Sequence, residues 1–345
     1  MSITVSKPKG FKPIKVGPKN LITDVDGLYV GNAEDQQLKS GTTVLYADKP
    51  FTASVDVRGG APGTRETDLL APDKLVSKID AIVLSGGSAF GLDAASGVMD
   101  ELRRDGRGFA VADVRVPLVS AAIVFDLLNG GDKQWSTNPY PALGSQAYRN
   151  ASVDFSLGTC GAGTGATTAN LKGGLGSASV CMPDGTMVGA LVVVNARGSV
   201  ITGDSGKFWA APFEHDEEFG DHGICSQRAE ITFINEGLSE DNGSNTTIAV
   251  VATDATLSSS QLKRLATVSH DGLARAIVPA HTLYDGDLVF SISTGSSAEE
   301  VADAATEAAL GHAASVCLSR AIARGVFEAS PQTSDILPCW RQKYL

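Results

Sequence analysis

Long apolar runs are missing from this 345-residue sequence. The longest, such as VGALVVV, fall far short of the roughly 20 residues that a membrane-spanning helix needs. A secretory signal requires an apolar stretch of about 7–15 residues, and MSITVSKPKG offers none. Positive charge is also scarce: 28 Lys and Arg face 39 Asp and Glu, a net charge of −11. Phosphate backbones and anionic lipids are bound by neutralising their charge, so neither nucleic acid nor membrane is expected as a partner. Cysteine is sparse. Cys160, Cys181, Cys225, Cys317 and Cys339 are odd in number, far apart and never in a CxxC pair. This pattern argues against a disulfide framework and a zinc site, and a reducing cytoplasm is the expected location. Histidine lacks ligand spacing too. His215, His222, His270, His281 and His312 form no HxxxH or HExxH motif and read as solvated or helix-surface residues. No metal and no cofactor are expected.

What the sequence has is glycine and short, alternating elements. The 38 glycines are about 11% of the chain, above the average of about 7%, and they follow no Gly-X-Y period, which implies many tight turns. Residues 1–20, with KPKGFKPIK, read as a flexible N-terminal arm, and residues 21–345 as a single compact domain. GLYVGNA, TTVLYAD and TASVDVRGG read as strands. AIVLSGGSAFGLDAASGVMDELRRDGRG predicts a buried strand, a glycine turn and a helix over 88–104, with Gly106 just past its end. VPLVSAAIVFDLLNGG predicts a second helix, stopped by Gly130 and Gly131. SASVCMPDGTMVGALVVVN predicts a hairpin around Pro183, Asp184 and Gly185. EHDEEFGDHG is an acidic loop, and SEDNGSN, residues 239–245, is the most loop-like segment. TTIAVVATD and DLVFSIST read as strands. Two helices are expected with capping boxes, one at Ser258 and Gln261, the other at Ser297 and Glu300 with Gly325 as its stop. Strands and helices mix throughout, so the class is α/β or α+β with extensive sheet.

Several motifs fail on context. Gly161, Gly163 and Gly165 with Ala166 fit a dinucleotide fingerprint, with Asp184 about twenty residues on, but Gly173 and Gly174 interrupt the helix that must follow. Gly86-Gly87-Ser88-Ala89-Phe90-Gly91 lacks the GxSxG spacing of a nucleophile elbow and fits a glycine-rich helix start packed on the sheet. At Asn245-Thr246-Thr247 a polar loop runs into an apolar strand. A plain strand start explains that junction. So does a chemical alternative: cutting the Asn245–Thr246 bond gives Thr246 a hydroxyl and a free α-amine. With a pKa of roughly 7.7–8.0, that amine can take the hydroxyl proton without help from histidine.

GSNTTIAVVATD, LSGGSAFGLDAASGVMDEL, GAGTGA with KGGLGSASV, VGALVVVNARG and DGDLVFSIST, in this order-rich set over residues 20–325, resemble the self-processing DmpA-type hydrolases. That family includes L-aminopeptidase/D-esterase, the β-aminopeptidases and the nylon-oligomer endohydrolase. The resemblance implies a four-layer αββα fold of N-terminal-nucleophile type, related to ornithine acetyltransferase. It also implies self-cleavage into residues 1–245 and 246–345, which stay together. By motif, Thr246 is the implied nucleophile and Asp285 and Asp287 the acidic pair beside its amine. Two carboxylates one residue apart on a strand would share a face. Asn195 is the implied oxyanion donor, Tyr140 a site-lining tyrosine and Lys172 a site lysine. The Asn-Thr pair and Asp-Gly-Asp, in place of Gly-Ser with Ser and Glu, are closer to the nylon-oligomer branch. The expected activity is hydrolysis of amide bonds in small peptides or amide oligomers, by a homo-oligomer of tetramer size or larger. Two alternatives remain at this point: an acyltransferase of the ornithine-acetyltransferase type, and a processing-dead protein that binds small molecules or peptides.

Overall fold

The computed structural model describes residues 14–226, 245–297, 301 and 303–345. Its strands are β1 (Lys15–Val16), β2 (Leu28–Asp35), β3 (Ser40–Val57), β4 (Thr64–Arg65), β5 (Lys78–Ser85), β6 (Phe109–Val111), β7 (Val114–Val116), β8 (Val119–Ile123), β9 (Gly174–Cys181), β10 (Met187–Asn195), β11 (Thr246–Thr253) and β12 (Leu288–Ser293). Its helices are α1 (Ala94–Arg104), α2 (Tyr140–Arg149), α3 (Ser259–Ala276), α4 (Ala304–Phe327) and α5 (Trp340–Tyr344). Hydrogen bonding links the strands in the order β1-β9-β10-β11-β12-β3-β5-β8-β4, with β2 also on β3. The runs TTVLYAD and TASVDV are one 18-residue strand, β3. Its first half pairs with β2 and β5 and its last six residues pair with β12, so it passes from one layer to the next.

Side-chain alternation explains the layers. Along β10, Val188, Ala190, Val192 and Val194 face a core shared with α3 and α4, which includes Leu262, Leu273, Leu310 and Leu318. Leu191 and Val193 point the other way, into a core with Leu45, Phe51, Ile82 and Leu84 of the second sheet. The far side of that second sheet, through Val44, Ala81, Val83 and Ala121, packs on Val98 and Leu102 of α1 and Ala147 of α2. Three cores separate four layers, and the architecture is αββα.

The hairpin at Met182, the helix after residue 93 with Gly106 in a left-handed conformation (φ 68°), and the α3 capping box of Ser258 and Gln261 all match expectation. Two predicted helices change. Residues 119–123 form β8, parallel to β5, because their apolar run is buried inside the sheet, where period alone cannot distinguish strand from helix. The last long helix starts at Ala304, capped by the Asp303 side chain on the amides of Ala305 and Thr306, and it runs past Gly325 to Phe327. Gly325 is a contact residue and not a stop: a Cβ there would lie 3.0 Å from the Gly176 nitrogen. The acidic loop sends Glu218 inward to pair with fully buried Arg320 of α4, at 2.5 and 2.9 Å. Residues 239–244 of the predicted loop lie outside the described residues.

Candidate active site

Thr246 begins β11, opposite Asn195 at the end of β10, and is 2% exposed. The residue before it, Asn245, bridges to Asp285 in parallel. The Asn245 N–H donates to the Tyr284 carbonyl at 3.2 Å. Its own carbonyl accepts from the Gly286 N–H at 3.0 Å and from the Thr246 hydroxyl at 2.6 Å. The carbonyl of the peptide unit joining Asn245 to Thr246 therefore has two donors, and the Asn245 N–H before it is tied to the turn that carries Asp285. Gly286 must be glycine here, since a Cβ would stand 2.7 Å from both Thr246 Oγ1 and the Ala61 carbonyl.

The two acids approach from the turn that precedes β12, not from the strand itself. β12 starts at Leu288 because the Asp285 and Asp287 main chains are committed elsewhere: Ala61 donates to the Asp285 carbonyl, and Arg58 and Gly59 to that of Asp287. Each carboxylate thus keeps its own set of donors rather than sharing a strand face. Asp285 accepts from the Arg197 amide (3.1 Å) and from the Thr282 amide (3.0 Å). Burial, reinforced by the negative charge of Asp287, holds its pKa above the ordinary carboxylate value. Asp287 Oδ1 accepts from the Thr247 amide at 2.7 Å, and Oδ2 from the amide of His281 at 2.9 Å. Both side chains are buried.

Asn195 is fully buried. Its Oδ1 accepts from the Thr167 amide (2.9 Å), and Nδ2 donates to the Phe125 carbonyl (3.1 Å). Tyr140 and Lys172 have other partners. The Tyr140 hydroxyl lies 2.9 Å from Ser40 Oγ, which donates to Asp126 at 2.6 Å, and Asp126 also accepts from the Gly87 amide. Tyr140 connects to Asn195 through the Phe125–Asp126 stretch, and burial raises its pKa. Lys172 Nζ reaches Gln332 (2.9 Å) and both oxygens of Asp335 (2.9 and 3.0 Å), while Lys39 takes the same carboxylate at 2.9 Å. Burial lowers the pKa of Lys172 against the opposing pull of Asp335. The C-terminal segment thus packs on this chain, beside Thr167.

Sequence reasoning missed two histidines. His281 Nδ1 lies 2.9 Å from Asp287 Oδ2, and its Nε2 lies 3.3 Å from Nδ1 of His270, which is 1% exposed. His270 is therefore neither solvated nor isolated. A signal existed: on α3 it is spaced four residues from Ala266 and three from Leu273, and so lies on the core-facing stripe. A cleft of about 410 Å³ between α3 and α4, lined by Arg264, Asp271, Arg275, Glu307 and His312, includes none of the residues around Thr246. Among the described residues no cluster of His, Cys, Asp and Glu has the makings of a metal site, and no helix is long and apolar enough to cross a membrane.

The peptidase family S58 model matches residues 20–335. An uncharacterized aminopeptidase of Mycobacterium tuberculosis is 42% identical, over 94% of this chain and 98% of its own. The 6-aminohexanoate-oligomer endohydrolase of Paenarthrobacter ureafaciens is 29% identical, over 81% of this chain and 76% of its own. Two solved structures share the fold. A β-aminopeptidase of Burkholderia sp. superposes with a TM-score of 0.69 at 20% identity, covering 96% of this chain and 94% of its own. The L-aminopeptidase D-Ala-esterase/amidase of Ochrobactrum anthropi, described as a variant of the Ntn hydrolase fold, gives 0.68 at 23%, covering 93% and 90%. With the family model spanning most of its length and the closely matching mycobacterial relative covering nearly all of it, this chain belongs to peptidase family S58.

Proposed function

We propose that this chain is a self-processing amidohydrolase with an N-terminal threonine nucleophile, acting on small peptides or amide oligomers. Membership of a peptidase family makes it a hydrolase of amide bonds, and water is accordingly the acyl acceptor. The transferase and binding-protein alternatives are not favoured. The observation that supports the nucleophile most directly is the Thr246 hydroxyl at 2.6 Å from the Asn245 carbonyl oxygen, with the Gly286 N–H on the same oxygen.

Self-cleavage then runs as follows. Thr246 Oγ1 rotates onto the Asn245 carbonyl carbon and loses its proton, and the oxyanion that forms keeps the Gly286 N–H as a donor. The C–N bond breaks, the Thr246 nitrogen takes a proton, and an ester joins Asn245 to Thr246 Oγ1. Water hydrolyses that ester, giving a carboxylate on Asn245 and a free α-amine on Thr246. In the mature enzyme the amine is the general base for the hydroxyl. Asp285 and Asp287 hold its ammonium form. Asn195 has a second amide N–H beyond the one given to Phe125, and this serves the oxyanion of the substrate. Tyr140 and Lys172 line the site, each anchored by its own buried cluster.

The same reading takes residues 21–345 as one domain, with residues 1–20 as an arm whose Lys15–Val16 strand pairs with β9, and the protein as cytoplasmic. It also takes it as a homo-oligomer of tetramer size or larger. The β6–β7 ribbon supports a subunit contact: Phe109 pairs with Val116 and Val111 with Val114, and all four are exposed. An isolated two-stranded ribbon is marginal in water, and a second copy of this chain would cover its apolar face. Intact-mass analysis tests the central proposal. Wild type gives two fragments meeting at Asn245/Thr246, and Thr246→Ala gives one uncut chain without amidase activity. Full activity in Thr246→Ala overturns the assignment.

A further inference from the structure

A chain of four groups leads away from Asp287. Its Oδ2 faces both the backbone N–H and the ring Nδ1 of His281, each at 2.9 Å. His281 Nε2 lies 3.3 Å from His270 Nδ1, and His270 Nε2 lies 3.0 Å from the Asp56 carbonyl oxygen. The charged groups around it are Asp285 on the 281–287 turn, Asp56 and Arg58 on the β3 side, and Lys263 on α3. Both Asp56 oxygens are already held by cations, Arg58 at 2.9 Å and Lys263 at 2.6 Å. Asp56 Oδ2, at 3.6 Å from His270 Nε2, therefore exerts little further pull.

Every proton in this chain can be placed from its partners. A backbone carbonyl only accepts, so His270 Nε2 carries hydrogen. Burial pushes the His270 pKa down to about 4, which keeps it neutral near pH 7 and leaves its Nδ1 an acceptor. His281 Nε2 must then be the donor between the two rings. At its other nitrogen, His281 meets an Asp287 oxygen at hydrogen-bond distance, and two lone pairs cannot share that contact. A proton lies there as well.

We infer that His281, clamped between Asp287 and His270, is a positioning residue for the reaction at Thr246. It turns Asp287 so that Oδ1 stays on the Thr247 amide, one residue from the nucleophile. The consequence for turnover rests on the proposed nucleophile, whereas the proton count does not. His281 has φ 57°, a conformation asparagine tolerates well, and an asparagine amide can place an N–H near the position of Nδ1.

The sequence has only five histidines, so ¹⁵N-histidine labelling of the wild-type protein gives a readable spectrum. At pH 7, His270 should show hydrogen on Nε2 alone, and His281 should show hydrogen on the Nε2 that faces it. A His281 whose Nε2 carries no hydrogen there overturns the proton count. With 6-aminohexanoate oligomer and an L-aminoacyl p-nitroanilide as probes, His281→Ala should lose about tenfold to a hundredfold in kcat with KM little changed. His281→Asn should recover much of that loss, while losing the wild-type pH profile of kcat. Wild-type kcat and pH profile in His281→Ala overturn the positioning role. Full activity of Thr246→Ala overturns the nucleophile instead, and the labelled spectrum distinguishes the two failures.

Discussion

The hydroxyl of Thr246 donates to the carbonyl of Asn245, its own predecessor in the chain, across 2.6 Å. Gly286 is what makes room for this. Its Cα hydrogens occupy the space in which a methyl group would come within 2.7 Å of Thr246 Oγ1. Gly286→Ala should therefore fold but slow self-cleavage by about tenfold or more, because a small displacement of a reacting atom has a large kinetic cost. A time course of fragment appearance on denaturing gels measures it, and a wild-type rate would show that the close approach has no bearing on the reaction.

His270 makes stability depend on pH. Its pKa is about 4 in the folded protein, against an ordinary value of 6.5. In that interval the unfolded chain binds the proton and the folded chain does not. This contribution is thus fully present above pH 6.5 and is lost as pH falls through 6.5 towards 4. The difference of about 2.5 units corresponds to roughly 3 kcal/mol. Urea unfolding at pH 7 and pH 4.5 should show His270→Gln losing less stability on acidification than wild type. Equal losses would remove His270 as the cause.

Asp335 holds two buried ammonium groups, Lys39 and Lys172, whose side chains are 6% and 4% exposed. Removing the carboxylate leaves both charges without it in a poorly solvated place. Asp335→Ala should cost about 3–5 kcal/mol, as expected for breaking a buried pair from one side. Chemical denaturation gives this number directly. A loss below about 1 kcal/mol would mean that water reaches the lysines.

Charge on the β6–β7 ribbon should break up the proposed homo-oligomer. Val111 and Val114 are directly opposed and both exposed. Val111→Asp with Val114→Asp places two like charges side by side on an apolar face, which a matching copy cannot accept. Light scattering after size exclusion should show smaller particles than wild type. An unchanged mass would move the subunit contact elsewhere.

Much of this fold is written locally. The α3 start at Ser258 and Gln261 and the β9–β10 hairpin depend on residues three or four apart, and both are readable. The strand at 119–123 is not, because an apolar run buried inside a sheet has no period to show. Nor is the start of α4, where Asp303 caps the helix; the expected cap at Ser297 falls at a residue whose amide instead bonds to Asp254. At the site, the main-chain pairing of Thr246 with Asn195 follows from adjoining strands. The contacts of Lys172 with Asp335, 163 residues away, and of His281 with Asp287 and His270 are tertiary. No spacing rule reaches them. The motif resemblance named the residues proposed to react, but gave no indication of the histidines behind them.

The position of β11 and β12 in the sheet bears on what a cut between Asn245 and Thr246 would produce. Both strands belong to the C-terminal piece, yet β11 is hydrogen-bonded to β10 and β12 to β3, and both of those belong to the N-terminal piece. The shorter piece is thus a wedge set into the middle of the longer one's sheet, with buried Arg320 of α4 fastened to Glu218 across the divide. Pulling it out would open two sheet edges at once and expose cores on both faces. The severed chain would therefore unfold as a single cooperative body, and neither piece alone would retain the architecture.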